Sequence, residues 1–281
     1  MHFFPIKFDQ TSLTQYSQLF LECFPGAGAR FTPAYLEWLY VANPDGQALG
    51  FDAYEGDELA AHYVCVPARA RVQGEEVSVL LSLNTATRPR YQGKGLFTKL
   101  AAMTYEAGSI GGYDGVYGVA NANSTPGFTR KLGFQLVRPL DALVGVGRLG
   151  TALAGSTQSS SFERLWRPES LAWRCANPVS PVQSRTNGAL TQLFAPALPL
   201  ASAYAELAIV PPALPRGAPR SPVRLFLGLV PDALRGFGSY ASIPARLRPS
   251  PLNLIYRSFT PRVTSLDPSA INFSFIDFDA Y

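Results

Sequence analysis

The first fifty residues carry apolar side chains at helical spacing. One face of a predicted helix over residues 11–23 holds Leu13, Tyr16, Leu19 and Phe20. A second helix is predicted after Thr32 and Pro33, because a threonine cap before a proline at the first helical position is a common helix start. The chain is therefore expected to open with two helices.

Beyond these helices the spacing of apolar residues changes from helical to strand-like, and predicted strands alternate with turns. The predicted elements are strands over 51–54, 59–67, 70–73 and 77–85, a helix over 96–107, a strand over 115–120, a helix over 125–132 and a strand over 134–137. An antiparallel meander followed by alternating helices and strands predicts an α/β fold of the α+β type. Its sheet is mixed and mostly antiparallel, with helices packed on it.

A second domain is predicted from a linker and a repeated motif. Residues 151–162 are rich in Ser, Gly and Thr and separate a domain over 1–150 from one over 163–281. The repeat consists of Pro33-x-x-Leu36-x-Trp38 with Asn43-Pro44, and Pro168-x-x-Leu171-x-Trp173 with Asn177-Pro178. Duplication explains the repeat, and coincidence or a shared helix cap is the alternative. The second copy has no comparable glycine turn, so it is expected to be degenerate, and it ends in two β-like runs over 252–259 and 271–278.

Composition excludes several classes of protein. Apolar residues make up 47% and charged residues 16% of the 281, which favours compact globular structure over disorder. No apolar run of about 18 residues and no signal-peptide layout is present, so a cytoplasmic protein without a membrane span is expected. The sequence contains no cluster of five or more basic residues, which argues against nucleic-acid binding. Three separate cysteines and two histidines predict neither disulfides nor a metal site.

The turn from Gln92 to Thr98 is the strongest chemical signal. Glycines at 93 and 95 leave backbone N–H groups unhindered at the start of a predicted helix, where the helix dipole favours phosphate oxygens. Neither the Walker nor the Rossmann glycine pattern is met. Three of the four lysines lie nearby in the sequence, which suits a bound anion or simply solvated helix faces.

Two motifs together resemble the GNAT superfamily of acyl-CoA-dependent N-acyltransferases. The first is the run from Leu83 to Leu100, in which Pro89 and Tyr91 precede Gln92-Gly93-Lys94-Gly95. The second starts at Asn121-Ala122-Asn123-Ser124 and leads to Phe128 and Lys131-Leu132-Gly133-Phe134. The resemblance implies acetyl-CoA or another acyl-CoA as co-substrate and no metal. The implied cofactor-binding residues are Thr87, Gln92, Gly93, Lys94, Gly95, Leu96, Phe97, Thr98, Asn121, Asn123 and Phe128.

Two positions depart from the pattern. Phe97 stands where the first motif usually has a small residue, and Thr129 stands where many relatives carry a tyrosine that protonates the CoA thiolate. The usual general acid is therefore in doubt. The resemblance implies that strand backbone near Thr87 pairs with the pantetheine arm and that a backbone N–H near Thr85 polarises the thioester carbonyl. Direct attack by the amine then needs no covalent enzyme intermediate.

His62 is the candidate general base. The only other histidine, His2, is expected at a frayed terminus, and the predicted strand carrying His62 is expected to face the acceptor side. Asn84, one strand over, is expected to bind the acceptor. A histidine hydrogen-bonded within the sheet, an asparagine that satisfies backbone groups, and a mechanism without a base are the alternatives.

The acceptor is expected to be a small-molecule amine. The paired Tyr35-Leu36-x-Trp38 and Asn43-Pro44, with the long C-terminal half, resemble GNAT enzymes that acylate nucleotide-linked amino sugars. An antibiotic or protein amine is the alternative substrate. A non-catalytic acyl-CoA-binding protein is the alternative from another class, and formation of a homodimer is left open.

Overall fold

The computed structural model describes residues 1–149, 160–187, 190–208, 214–219, 221–234, 238–248, 250–261 and 264–279. Most of the predicted linker over 151–162 lies outside these residues. The helices are α1 (Gln10–Cys23), α2 (Pro33–Tyr40), α3 (Leu96–Ile110), α4 (Thr125–Lys131) and α5 (Pro168–Cys175).

The strands of the N-terminal half are β1 (His2–Pro5), β2 (Leu49–Glu55), β3 (Glu58–Val72), β4 (Glu75–Thr87), β5 (Gly115–Asn121), β6 (Gln135–Pro139) and β7 (Asp141–Val146). Those of the C-terminal half are β8 (Phe162–Arg164), β9 (Gln183–Asn187), β10 (Leu190–Leu198), β11 (Ala201–Leu207), β12 (Val223–Leu229), β13 (Tyr240–Ser242), β14 (Leu252–Ser258) and β15 (Ile271–Ser274).

Side-chain caps begin the first two helices. The Asp9 carboxylate accepts from the Ser12 N–H at 3.0 Å, and the Thr32 hydroxyl accepts from the Tyr35 N–H at 3.2 Å. These contacts satisfy N–H groups that a helix start otherwise leaves without partners. Both predicted N-terminal helices are confirmed.

The strands form one mixed and mostly antiparallel sheet, which confirms the predicted fold class. Its main path runs β6-β14-β5-β4-β3-β8-β15-β12-β11-β10-β9 through the described part of the chain. The two strands predicted over 59–67 and 70–73 are a single strand, β3, which continues through Pro67. The prediction of a frayed terminus at His2 is wrong, because β1 pairs with β2 from His2↔Tyr54 to Pro5↔Phe51.

Helices cover both faces of the N-terminal part of this sheet. Alternate residues of β3 and β4 pack against α3 and α4 on one face, in a buried cluster that includes Tyr63, Leu80, Leu100 and Phe128. On the other face α1 and α2 pack on Val64 and Val66. The loops at the ends of β4 and β5 therefore lie between two helical layers.

The parallel pair β4 and β5 separates along its length. Residues 79–82 pair with residues 115–118, and no further pairing between the two strands follows Ser82 and Gly118. On its other edge β5 pairs with β14 along its whole length, and β14 lies between β5 and β6. A strand from the C-terminal half thus completes the sheet of the N-terminal half.

The repeated motifs lie on α2 and α5, which contact each other. Trp38 and Trp173 stack with their ring centroids 4.8 Å apart. Asn43 and Asn177 are both buried, and the side-chain oxygen of each accepts from a backbone N–H two residues later. The division into domains over 1–150 and 163–281, and the origin of the second by duplication, remain predictions.

Candidate active site

The glycine turn connects the end of β4 to the start of α3. Gly93 and Gly95 both have left-handed backbone, with φ of 76° and 74°. A side chain added at either glycine would meet no atom within 4 Å, so open space lies in front of the turn. The Gln92 side-chain amide donates to the Thr87 carbonyl at 3.2 Å, which holds the turn against the last residue of β4.

The N-terminus of α3 can receive an anion. Gly95 caps the helix, and no side-chain hydrogen bond satisfies the first N–H groups. The N–H groups of Leu96, Phe97 and Thr98 precede the first intrahelical bond, which runs from Lys99 N to Gly95 O at 3.0 Å. Free N–H groups at the positive end of a 15-residue helix, beside an open turn, suit the oxygens of an anion such as a phosphate.

Several predicted cofactor residues can contribute only backbone groups. The side chains of Leu96 and Phe128 belong to the buried cluster under α3. Phe97 meets Phe128 edge-on with centroids 5.1 Å apart, so the departure from a small residue is absorbed by packing. The Lys94 ammonium lies 5.0 Å from the ring centroid of Tyr91 and is exposed.

The second motif forms a tight turn before α4. Asn121 accepts from the N–H groups of Asn123 and Ser124, each at 3.0 Å, so its side chain stabilises the turn. Asn123 is exposed. The Thr129 hydroxyl donates to the Thr125 carbonyl at 3.0 Å within α4, which occupies its only hydrogen. Thr129 in this arrangement is not placed to act as the missing general acid.

A bulge interrupts β4 where it leaves β5. Val64 pairs with Leu83 and His62 with Ala86, so Asn84 and Thr85 stand opposite the single residue Tyr63. Asn84 has left-handed backbone with φ of 48°, which is uncommon for a residue other than glycine. A bulge leaves backbone groups outside the ladder and re-aims side chains, and bulges are frequent beside active sites.

His62 lies inside the protein and not on a cleft wall. Its ring is fully buried, and both of its nitrogens have partners. Nδ1 lies 2.6 Å from the Asp52 carboxylate, and Nε2 lies 3.1 Å from the Tyr40 hydroxyl. Tyr40 in turn accepts from the Asn84 amide at 3.2 Å. The two predicted catalytic side chains are therefore connected through a tyrosine and do not touch.

A cleft of about 240 Å³ opens beside the separated strands. Its wall includes Ser82, Asn84 and Val119 from β4 and β5, with Arg30 and Asp279 from distant parts of the chain. Arg30 donates to Asp279 Oδ2 at 2.9 Å, and the Tyr35 hydroxyl also donates to this oxygen. Burial, and then the charge of Asp279, raise the pKa of Tyr35 well above its usual value, so Tyr35 remains a donor.

Asp279 is the residue of this cleft that sequence reasoning missed. Its side chain is 10% exposed, and its second oxygen, Oδ1, is buried without a hydrogen-bond partner within the described residues. A buried carboxylate oxygen without a donor is costly, and a ligand that donates to it would remove that cost. Nothing local in the sequence around residue 279 indicates that it contacts Arg30 and lines the same cleft as Asn84.

The described residues contain neither a metal cluster nor an activated thiol. No group of three or more His, Cys, Asp or Glu side chains among them could hold a metal ion. Burial raises the pKa of Cys65 and of Cys175 to about 12, so both thiols stay protonated at neutral pH. Within the same residues, no helix is long and apolar enough to cross a membrane.

Comparisons with known proteins agree with this geometry. The family model described as the acetyltransferase (GNAT) domain matches residues 7–137, a little under half of the chain. No curated protein sequence matches the chain. Solved structures with a similar fold include a GCN5-related N-acetyltransferase from Kribbella flavida, with 14% identity and a TM-score of 0.60 over 92% of this chain and 71% of that one.

Two further structures cover the same 92% of this chain and 73% of their own. One is a GCN5-related N-acetyltransferase from Anabaena variabilis, with 13% identity and a TM-score of 0.58. The other is a conserved protein from Enterococcus faecalis described as a probable N-acyltransferase, with 11% identity and a TM-score of 0.55. At these identities the likeness is one of fold, and it extends into the C-terminal half.

The glycine turn, the separated strands and the family match define the class. Residues 7–137 form a GNAT acetyltransferase domain. This match identifies the domain over residues 7–137 as an acyl-CoA-dependent N-acyltransferase domain of the GNAT type.

Proposed function

We propose that this enzyme transfers an acyl group from acyl-CoA to the primary amine of a nucleotide-linked amino sugar. The observation that carries the reaction is the separation of β4 from β5 after Ser82 and Gly118, beside the cleft and on the strand that leads to the glycine turn. The separation leaves strand backbone available to a ligand that enters between the two strands.

The proposed CoA site uses mostly backbone groups. The N–H groups of the turn and of the first residues of α3, Gly93 to Thr98, hold the phosphates. Backbone near Thr87 pairs with the pantetheine arm. The N–H of Thr85, in the bulge, donates to the thioester carbonyl, and one such donor lowers the barrier by about 3 kcal/mol.

The reaction proposed is direct attack. The neutral amine nitrogen attacks the thioester carbon, the C–N bond forms, the C–S bond breaks, and CoA leaves as a thiolate. The nitrogen releases its proton to water or to the departing sulfur. The high pKa values of the buried cysteines support a route without an enzyme thioester.

Asp279 is proposed to bind the amine on the acceptor side. Nitrogen becomes positively charged as the C–N bond forms, and a carboxylate in a water-poor cleft stabilises that charge. Oδ1 is the oxygen that Arg30 and Tyr35 leave without a donor. The hydroxyl of Ser82 and the amide of Asn84 add polar groups suited to the hydroxyls of a sugar.

The size of the cleft limits the acceptor. Its volume of about 240 Å³ is below the range of pockets that hold a drug-sized ligand, so it suits one sugar ring better than a sugar with an attached nucleotide. The nucleotide of the proposed substrate would therefore lie outside the cleft. We further propose that the domain over 163–281 is a degenerate copy of the domain over 1–150 that completes the acceptor side.

A thiol-release screen tests the function. Acetyl-CoA and longer acyl-CoAs are each combined with nucleotide-linked amino sugars, free amino sugars, simple amines, aminoglycosides and peptides. The proposal expects the highest kcat/KM with an amino sugar and mass-spectrometric detection of its amide. A higher kcat/KM with peptides or aminoglycosides would show that the acceptor is not an amino sugar. Binding of acyl-CoA without thiol release from any amine would support an acyl-CoA-binding protein instead.

A further inference from the structure

Five polar side chains connect the first helix to the cleft without a gap. The Tyr16 hydroxyl donates to Asp52 Oδ2 at 2.7 Å, and Asp52 Oδ1 meets His62 Nδ1 at 2.6 Å. His62 Nε2 meets the Tyr40 hydroxyl at 3.1 Å, and Tyr40 meets Asn84 Nδ2 at 3.2 Å. We call these five residues the polar network. Four of them are buried, and Asn84 alone lines the cleft.

The far end of the polar network determines where the protons lie. The backbone N–H of Lys7 donates to the Tyr16 oxygen at 3.0 Å, so the Tyr16 hydrogen points to Asp52. A carboxylate only accepts, so the ring nitrogen that faces Asp52 must carry a proton. A neutral His62 then offers Nε2 as an acceptor, and Tyr40 must donate its single hydrogen there.

The orientation of Asn84 follows from the same argument. With its hydrogen directed to His62, the Tyr40 oxygen can only accept, so it selects the NH₂ group of Asn84. The amide oxygen, Oδ1, has no hydrogen-bond partner within the described residues. An N–H of the acceptor amine can donate to it. The polar network therefore determines which atom of Asn84 remains available in the cleft.

We propose that Asp52, His62 and Tyr40 are positioning residues that hold Asn84 with its amide oxygen available to the acceptor amine, and that His62 acts only through Tyr40. This inference rests on the proposed acyl transfer to an amine. It replaces a general-base role for His62, because the ring has no contact with the cleft. The attacking nitrogen is aligned by its N–H on Asn84 Oδ1 while its lone pair faces the thioester carbon.

Protonation of His62 reverses the network. With protons on both nitrogens, Nε2 donates to Tyr40, and the Tyr40 hydrogen must turn to Asn84. Asn84 then has to present Oδ1 to Tyr40 and its NH₂ group to the amine, where two donors oppose each other. Three titratable groups lie against the His62 ring: Asp52 on β2, Tyr16 on α1 and Tyr40 on α2. The ring of Phe20 also contacts it edge-on. Burial raises the pKa of both tyrosines, so they stay neutral.

A double-mutant cycle distinguishes positioning from base catalysis. Tyr40→Phe and His62→Asn are measured singly and together, with kcat and KM determined for the amine and for acyl-CoA across pH 6–9. We expect each single variant to lower kcat/KM for the amine about tenfold, the size of one lost hydrogen bond. The double variant should be no worse than either single variant, and KM for acyl-CoA should not change.

Tyr204→Phe is the matched control. Tyr204 is as buried as Tyr40, and its hydroxyl is also hydrogen-bonded, to Gln192 and Glu206, but it lies on β11 outside the polar network. Its kcat/KM should stay within about twofold of wild type. If His62→Asn lowers turnover as strongly in the Tyr40→Phe background as in wild type, His62 acts directly and the proposal is wrong. If His62→Asn does not fold, His62→Gln takes its place.

The tautomer of His62 gives a readout that needs no substrate. The chain has only two histidines, so ¹⁵N-detected spectra of the labelled protein separate His62 from His2. We expect the Nδ1–H form at neutral pH, and an Nε2–H form would overturn the network. If the spectra show the Nδ1–H form but no amine is turned over, the proposed function is contradicted. The inferred direction of the hydrogen bonds in the polar network would still be supported.

Discussion

Trp38 and Trp173 exchange hydrogen bonds across the two halves of the chain. The indole N–H of Trp38 donates to the Trp173 carbonyl at 3.1 Å, and the indole N–H of Trp173 donates to the Trp38 carbonyl at 3.0 Å. Their rings stack at an interplanar angle of 20°. Equivalent positions of the repeated motif therefore make equivalent contacts, as residues related by a two-fold axis do.

Because the two hydrogen bonds are reciprocal, we expect equivalent substitutions of the two tryptophans to lower the free energy of unfolding by equal amounts. Trp38→Phe and Trp173→Phe each keep an aromatic ring but remove the indole N–H that donates to the carbonyl of the other residue. We expect each to lower the free energy of unfolding by about 1 kcal/mol, or the Tm by about 2–4 °C. Calorimetry checks both values. If the two variants lose clearly different amounts of unfolding free energy, the contact between Trp38 and Trp173 is symmetric in geometry but not in energy.

Gly95→Asp should abolish most CoA binding. A carboxylate at the start of α3 would stand where phosphate oxygens accept backbone hydrogen bonds, so we expect the Kd for CoA to rise more than tenfold. Gly74→Asp is the control, because Gly74 also has positive φ, 90°, and open space, but lies in the hairpin between β3 and β4. Calorimetric titration of both variants separates loss of the site from backbone strain. Unchanged CoA binding by folded Gly95→Asp would remove the site from this turn.

Glu58 is predicted to hold the segment before the glycine turn in a pH-dependent way. Hydrogen bonds from Arg90 and then Tyr91 lower the pKa of Glu58 from 4.5 to about 2. A depressed carboxyl pKa stabilises the fold fully above pH 4.5, and that contribution is lost as the pH falls through about 2. The stability difference between wild type and Glu58→Gln should therefore be constant from pH 5 to 8 and shrink below it.

The neighbouring variant Asp57→Asn serves as its control. Asp57 is exposed and has no ion pair within the part of the chain described. Chemical denaturation at several pH values measures both variants. A Glu58→Gln difference that persists unchanged near pH 2 would contradict the proposed role of this carboxylate.

Asp279→Asn should raise KM for the amine and leave KM for acyl-CoA unchanged. The substitution keeps the size of the side chain but removes the charge that the developing ammonium meets, and a charged hydrogen bond contributes about 1.5–3 kcal/mol. We expect kcat/KM for the amine to fall about tenfold or more. Asp267→Asn, at an exposed turn near the same end of the chain, is the control. Equal kinetics in wild type and Asp279→Asn would exclude Asp279 from the acceptor site.

Local signals account for what the sequence predicted well. The cap at Thr32, the hairpin turns and the glycine turn before α3 each depend on a few consecutive residues. Such short-range chemistry determines φ, ψ and the first hydrogen bonds of an element. The start of α2 and the order of elements from β2 to β6 could therefore be predicted from the sequence, apart from the division of β3 into two strands.

Long-range contacts account for what the sequence could not predict. Asp279 meets Arg30 across most of the chain, and no periodicity links them. The pattern placed His62 on a strand, but α1 and α2 bury its ring, and that depends on tertiary packing. The insertion of β14 between β5 and β6 is likewise invisible in the sequence, where the run over 252–259 reads only as a strand.

The position of β14 bears on how the protein is made. During synthesis β5 and β6 leave the ribosome long before the strand that separates them, so each waits with an unpaired edge. Unpaired edges invite association with other nascent or unfolded chains. A fragment that stops at the end of the GNAT domain would keep those edges permanently and should aggregate. The sheet of the N-terminal half can therefore be completed only after residues 252–258 have been synthesised.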